Sequence, residues 1–218
     1  MIRALIFDFD GLILDTETPD YEVWRDLYRQ YGHELDARTW GQIVGGNSGT
    51  AFEPLPYLEQ LTGRDLSPLG LNIIADHQRL ARINATGLLP GVLDTIQAAR
   101  QRGLKLGVAS SSPHAWVDGH LKQRGLFDQF QAVMCSEDAP RIKPEPDLYL
   151  AALRALHVRS DQAIALEDSP NGVRAARRAG IFVVAVPNPL TAQLSFEGEN
   201  LRLASLAGMR LDALLDRL

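Results

Sequence analysis

The amino-acid sequence predicts an α/β fold: a parallel sheet interrupted by an inserted helical segment. Three observations predict it. Short apolar runs recur through residues 87–218, each followed by a stretch with helical periodicity, as strands joined by crossover helices require. Gly103, Gly125 and Gly180 stand where those helices should stop. Between Thr16 and Thr86 the alternation breaks off, and apolar residues recur at helical spacing instead.

The first strand is the apolar run Ala4-Leu5-Ile6-Phe7, ended by Asp8. In the insertion, Tyr21, Trp24, Leu27, Tyr28 and Tyr31 share one helical face, and Ile73, Ile74, His77 and Leu80 another. The aromatic set is read as helix packing. The loop Gly45-Gly46-Asn47-Ser48-Gly49 fits either a turn between helices or a close approach to a ligand. Strands then follow at 104–109, 131–135, 163–166 and 181–186, and helices at 91–101, 113–124, 146–156, 172–179 and 206–215. The division expected is a core of residues 1–15 plus 87–218 and a helical domain of residues 16–86.

A chain of 218 residues, 45% hydrophobic, can bury a substantial core. Its formal charge of −5, with the arginines scattered, argues against a nucleic-acid partner, and no apolar run approaches membrane-spanning length. The single Cys135 leaves no internal disulfide to form. Because Met1 to Phe9 reads as a strand leading into the site, no signal peptide is expected. A cytoplasmic protein, monomer or weak homodimer, is expected.

The chemistry begins with charge. Asp8 and Asp10 end one apolar strand, and Glu167 and Asp168 end another. In parallel sheets the carboxyl ends of strands form the ligand crevice, so these acids should converge. Such a cluster repels itself and protonates unless a compact dication screens it. An all-oxygen site is what Mg²⁺ prefers, and Mg²⁺ commonly shares its shell with substrate phosphate. The histidines show no paired helical spacing that would chelate zinc.

Each residue alone has an ordinary reading. Strand-end acids form turns, Ser110 before Pro113 can cap a helix, and Lys143 before Pro144 can be surface charge. Asp15 and Thr16 are read as caps of the following helix. Against the ordinary reading of Lys143 stands its scarcity, since Lys105, Lys122 and Lys143 are the only lysines in the chain.

Four segments acquire meaning as a set: Asp8-Phe9-Asp10-Gly11-Leu12-Ile13-Leu14-Asp15-Thr16, Val108-Ala109-Ser110-Ser111-Ser112, Lys143-Pro144-Glu145-Pro146 and Glu167-Asp168-Ser169-Pro170-Asn171-Gly172. They resemble, in order and over nearly the whole chain, the motifs of the haloacid dehalogenase superfamily, in the branch of β-phosphoglucomutase and sugar-phosphate phosphatases. The resemblance implies a Rossmann-like doubly wound core under a helical cap. It also implies a Mg²⁺-dependent phosphatase that acts on a small phosphorylated metabolite through an aspartyl-phosphate. Asp8 would be the nucleophile and Asp10 the general acid, then base. The metal would be held by Asp8, the Asp10 backbone carbonyl and Asp168, with Glu167 a further ligand or an orienter. Lys143 would neutralise the transferring group, while Ser110 and the amides around Phe9, Asp10, Gly11 and Ser111 cradle its oxygens. In the cap, Gly46, Asn47 and His77, with Arg25, Arg29, Arg79 and Arg82, are candidates to meet the leaving group.

Other chemistries of the superfamily are weighed by the same residues. Dehalogenases lack the second aspartate, which is present here as Asp10. Phosphonate cleavage uses a cap lysine, and none lies between Asp15 and Thr86. A β-phosphoglucomutase-type mutase is the alternative, weakened because Asp20 and Pro113-His114 stand where that enzyme has a histidine and a lysine. A non-catalytic phospho-aspartate switch would have to keep its phosphate, which Asp10 beside Asp8 would help remove.

Overall fold

The computed structural model describes residues 1–41 and 52–216. In chain order its regular elements are β1 (Ala4–Phe7), α1 (Glu17–Gln30), α2 (Ala37–Trp40), α3 (Pro54–Thr62), α4 (Leu71–Ala85), α5 (Val92–Gln101), β2 (Lys105–Ala109), α6 (His114–Gln123), β3 (Ala132–Met134), α7 (Asp147–Leu156), β4 (Ala163–Glu167), α8 (Pro170–Arg178), β5 (Phe182–Ala185), β6 (Leu201–Arg202) and α9 (Leu211–Leu215). The strands form one parallel sheet in the order β3-β2-β1-β4-β5-β6.

β1 is apolar throughout because both of its faces are covered. Leu5 and Phe7 pack into a cluster with Val92, Ile96, Val117 and Leu121 of α5 and α6. Ala4 and Ile6 face the opposite layer, with Leu148, Ala152, Val173 and Ala176 of α7 and α8. A parallel sheet clothed on both faces reads as continuous hydrophobic runs, which is why the strands were legible. Phe7 stands opposite Val108 of β2 and Leu166 of β4. The residues that follow these three strands therefore emerge at one edge, where the strand order reverses and α/β sheets open their crevice.

The structure differs from expectation at the carboxyl-terminal end. β6 has two residues, too few to show a period, and was not anticipated. The helix expected over 206–215 is regular only from Leu211, because Gly208 adopts a φ of 76° and breaks the run. At the helix stops Gly103, Gly125 and Gly180 the φ values are 70°, 66° and 77°, as left-handed caps demand.

The described helices between Glu17 and Ala85 bury a separate apolar cluster, with Val23, Trp24, Leu27, Tyr28, Leu58, Leu71 and Ala75 in its centre. Leu190 reaches into it from the loop after β5. The aromatic residues here pack as expected, and the Tyr28 hydroxyl donates to the Pro54 carbonyl at 2.6 Å. Arg82 of α4 ties back to Glu22 and Asp26 of α1 at 3.4 and 2.9 Å. The chain leaves and re-enters the sheet layer side by side, since the Leu89 amide donates to the Ile13 carbonyl at 3.0 Å.

Candidate active site

At the crevice the Asp8 and Asp168 carboxylates are 6% and 2% exposed, Lys143 4%, and Glu167 fully buried. Lys143 Nζ donates to Asp8 Oδ1, and to Glu167 Oε1 at 2.6 Å. Glu167 Oε1 also accepts from the Tyr149 hydroxyl of α7 at 2.6 Å. Glu167 thus anchors the lysine that faces Asp8. Donor oxygens of Asp8, Glu167 and Asp168 lie within 4.8 Å of one another. Burial drives the Asp8 carboxyl well above the ordinary range, with Glu167 and Asp10 adding to the rise and Lys143 opposing it. Asp168 is likewise pushed up by burial, then by the charges of Asp8 and Glu167. That is the signature of buried carboxylates whose desolvation and mutual repulsion one lysine does not offset, and an all-oxygen donor set of this kind fits a hard divalent cation.

Two glycines make this crowding possible. Gly11 has a φ of 78°, and a Cβ there would lie 2.7 Å from Asn188 Nδ2 and 2.9 Å from Asp168 Cγ. At Gly172, in the first turn of α8, a Cβ would land on the Glu167 carboxylate. The Gly11 amide, expected among the phosphate donors, instead donates to the Leu14 carbonyl at 2.8 Å. That reading is corrected: the tight turn after β1 uses the N–H, and Gly11 serves by having no side chain beside Asp168. Phe9 is fully buried, its ring stacked on His120 at 6.2 Å.

Asp10 stands apart from the acidic group. Its Oδ1 accepts from Thr16 Oγ1 at 2.9 Å and Trp116 Nε1 at 2.8 Å, and its Oδ2 from Ser112 Oγ at 2.7 Å and Ser110 Oγ at 3.3 Å. Four donors from three segments hold one carboxylate in a single orientation. As a metal ligand, Asp10 would have to act through its backbone carbonyl. Thr16 therefore does not cap α1, contrary to the sequence reading; Asp15 does, accepting from the Thr18 amide at 2.9 Å. Ser110 is no helix cap either, since its Oγ accepts from the Ser112 amide at 3.0 Å and α6 starts only at His114. Ser111 Oγ is buried without a hydrogen-bond partner, and Ser111 lines the crevice. An orphaned hydroxyl there is an opening for a ligand oxygen.

The crevice encloses about 430 Å³. Asp8, Asp10, Ser110, Ser111, Lys143 and Asp168 line it, together with Glu17 and Asp20 of α1 and Arg79 of α4. Arg79 Nη2 lies 3.0 Å from Asp76 and its Nε 3.9 Å from Asp20, and its guanidinium sits 5.5 Å from the Trp116 ring centre. Burial raises Glu17 to about 8, helped by Asp10 and Asp20. It raises Asp20 to about 6 against the pull of Arg79. Of the cations proposed from sequence, Arg79 lines the crevice. His77 is exposed on α4 and does not line it, because its position falls on the outer face of that helix. Arg29 pairs with Glu34, and Arg25 and Arg82 with Asp26. Gly46 and Asn47 lie outside the described residues.

Sequence reasoning missed Tyr149, Asn188, Trp116, Ser112 and Glu17. Ser112 sat within a quoted motif, whereas Asn188, whose Nδ2 donates to Asp168 Oδ2 at 2.8 Å, gave no local signal. His114, Asp118 and Cys135 also gather donor atoms within 4.8 Å. Both ring nitrogens of His114 are already engaged, by Asp118 at 3.2 Å and Asp138 at 2.7 Å. Cys135 is buried, as a small apolar residue would be.

Comparison with known proteins adds to this geometry. A family model described as haloacid dehalogenase-like hydrolase matches residues 5–186. The candidate phosphatase YhcW of Bacillus subtilis is 45% identical over 218 residues, covering 100% of this chain and 98% of that protein. A crystal structure of CbbY from Rhodobacter sphaeroides with xylulose-(1,5)bisphosphate superposes with a TM-score of 0.70 at 25% identity, covering 95% of this chain and 96% of that one. β-Phosphoglucomutase from Clostridium difficile shares the fold at a TM-score of 0.75 and 22% identity, over 100% and 97% of the two chains. With the acids, lysine and serines of all four motifs gathered on one crevice, the chain belongs to the haloacid dehalogenase-like hydrolases, in the branch that holds phosphatases and β-phosphoglucomutases.

Proposed function

We propose that this protein is a Mg²⁺-dependent phosphatase that hydrolyses a small phosphate monoester, such as a sugar phosphate, through an aspartyl-phosphate on Asp8. The observation that carries the reading is the convergence on one crevice of Asp8 bonded to Lys143, Asp10 held by four donors, and the unpartnered Ser111 hydroxyl. The phosphatase relatives, YhcW above all, support the same class.

An Asp8 oxygen attacks phosphorus and the ester P–O bond breaks, while Asp10 passes a proton to the leaving oxygen. Lys143, kept in place by Glu167 and Tyr149, offsets charge on the phosphoryl oxygens, and Ser110 and Ser111 hold them. Asp10 then takes a proton from water, whose oxygen attacks phosphorus. The bond to Asp8 breaks and inorganic phosphate departs. Mg²⁺, held by Asp8, Asp168 and the Asp10 carbonyl, would lower the repulsion between the attacking carboxylate and the phosphoryl group. Residues 16–86 act as a cap that keeps bulk water from the crevice of the 1–15 plus 87–218 core. A single cysteine, which leaves no internal disulfide to form, fits a reducing, cytoplasmic setting. Among the described residues no helix is long and apolar enough to cross a membrane.

The test is a panel of phosphate esters assayed with Mg²⁺, with β-glucose 1-phosphate followed for both phosphate and glucose 6-phosphate. Released phosphate supports hydrolysis, and glucose 6-phosphate would support the mutase alternative. Asp8→Asn should abolish turnover and phosphoprotein formation together; vigorous residual activity would reject Asp8 as nucleophile.

A further inference from the structure

We propose that the crevice wall supplied by α1 and α4 selects an uncharged, hydroxyl-bearing leaving group and rejects esters with a second anionic group, with Glu17, Asp20 and Arg79 as the specificity-determining residues. This rests on the phosphatase reading above.

The charge inventory carries it. Among the described residues lining the crevice are the carboxylates Asp8, Asp10, Glu17, Asp20 and Asp168 and the cations Lys143 and Arg79. Lys143 is committed to Asp8 and Glu167 at the phosphoryl end. Arg79 is the cation left for the leaving group, and it already faces Asp76, Asp20 and the Trp116 ring. Residues 42–51, which lie outside the described part, read Gln-Ile-Val-Gly-Gly-Asn-Ser-Gly-Thr-Ala. They contain no acid, lysine, arginine or histidine, so wherever they run they add no charge to this inventory. Arg25, Arg29 and Arg82 are paired elsewhere.

A second phosphate or a carboxylate on the leaving group would meet the Asp20 carboxylate, beside a Glu17 whose burial already disfavours charge, with no free cation among the described residues to receive it. An anion brought beside the Asp20 carboxylate, in a wall that already disfavours charge, costs enough to lower reactivity about 100-fold. The burial that raises both acids is equally unfavourable to any added anion. Hydroxyl groups suit the same wall: each can donate to Glu17 or Asp20 and accept from the Arg79 guanidinium.

The experiment compares kcat/KM with Mg²⁺ for glucose 1-phosphate and glycerol 3-phosphate against glucose 1,6-bisphosphate and phosphoglycolate. Each value is taken as a ratio to p-nitrophenyl phosphate in the same preparation, so that any loss of folded protein cancels. The uncharged leaving groups should be favoured about 100-fold. In the double variant Glu17→Gln, Asp20→Asn that preference should shrink at least about tenfold, mainly through a lower KM for the bisphosphate. Arg79→Gln, a milder change, should lower the ratio for the sugar and polyol esters. The proposal is overturned if bisphosphate or phosphoglycolate is preferred in the native enzyme, or if the variants shift every ester by one common factor. Absence of turnover on all esters, p-nitrophenyl phosphate included, would instead overturn the phosphatase reading and this inference with it.

Discussion

Replacing one glycine with alanine should do opposite things at two places in this molecule. Gly172 lies in the first turn of α8, and a Cβ there would sit well inside 3.0 Å of the Glu167 carboxylate. Ordinary contact is 3.4–4 Å, so the carboxylate must retreat by more than an ångström. It has nowhere to go without releasing Lys143 Nζ and the Tyr149 hydroxyl, both now at 2.6 Å. Each hydrogen bond to a charged, buried group is worth about 1.5–3 kcal/mol, and overpacking adds about 1–3. Alanine's better helix propensity returns at most about 1 kcal/mol. Allowing for relaxation, Gly172→Ala should lose about 3–5 kcal/mol, the cost of breaking a buried ion pair. For a chain of this size that lowers Tm by about 6–20 °C. Gly119 is the control: it is exposed in α6 with nothing within 4 Å of a built Cβ, so Gly119→Ala should be neutral or stabilise by up to about 1 kcal/mol. Urea unfolding of both variants, with phosphatase activity measured alongside, decides the matter. A Gly172→Ala protein as stable and active as the native one would refute the picture of Glu167 as the clamp on Lys143.

Trp116→Phe removes one of four donors to Asp10 and should lower kcat about tenfold or more with little change in KM; an unchanged kcat would show that Asp10 does not depend on that bond. Chelation by EDTA should stop turnover, and added Mg²⁺ should restore it. In thermal melts without substrate the same ion should raise Tm, by the equivalent of about 2.7 kcal/mol at a hundredfold excess over Kd; no shift would count against a dication among Asp8 and Asp168. His114 provides a pH test away from the crevice acids. Desolvation pulls its pKa down, but the hydrogen bonds and charges of Asp118 and Asp138 together outweigh that and raise it above 6.5. A raised histidine pKa stabilises the fold fully below the unfolded value and loses that contribution as pH rises through the folded one. The native protein should therefore gain more over His114→Gln at pH 5 than at pH 8, by a modest amount because the side chain is 36% exposed. Equal differences at the two pH values would reject the pairing.

The residues legible in the sequence are those whose role follows from position on a strand. Asp8, Ser110, Glu167 and Asp168 each come at or just after the end of an apolar run. A parallel sheet turns that into a common edge without further information. Lys143 has no strand to announce it, and its reading depended on the resemblance of its motif. What escaped was whatever reached the crevice by tertiary approach. The Trp116 bond to Asp10 spans 106 residues, and the Asn188 bond to Asp168 and the Tyr149 bond to Glu167 span 20 and 18. The need for such partners was derivable, because a buried carboxylate must be satisfied, but their identity was not. Thr16 shows the same competition at short range: its hydroxyl could have capped α1, and went instead to Asp10, a half-buried carboxylate to which a hydrogen bond is worth more than one to a neutral helix-end amide. The supporting shell of this crevice is thus chosen by the burial of its acids. A substitution at Tyr149, Asn188 or Trp116 should disturb catalysis even though none of the three holds a motif position.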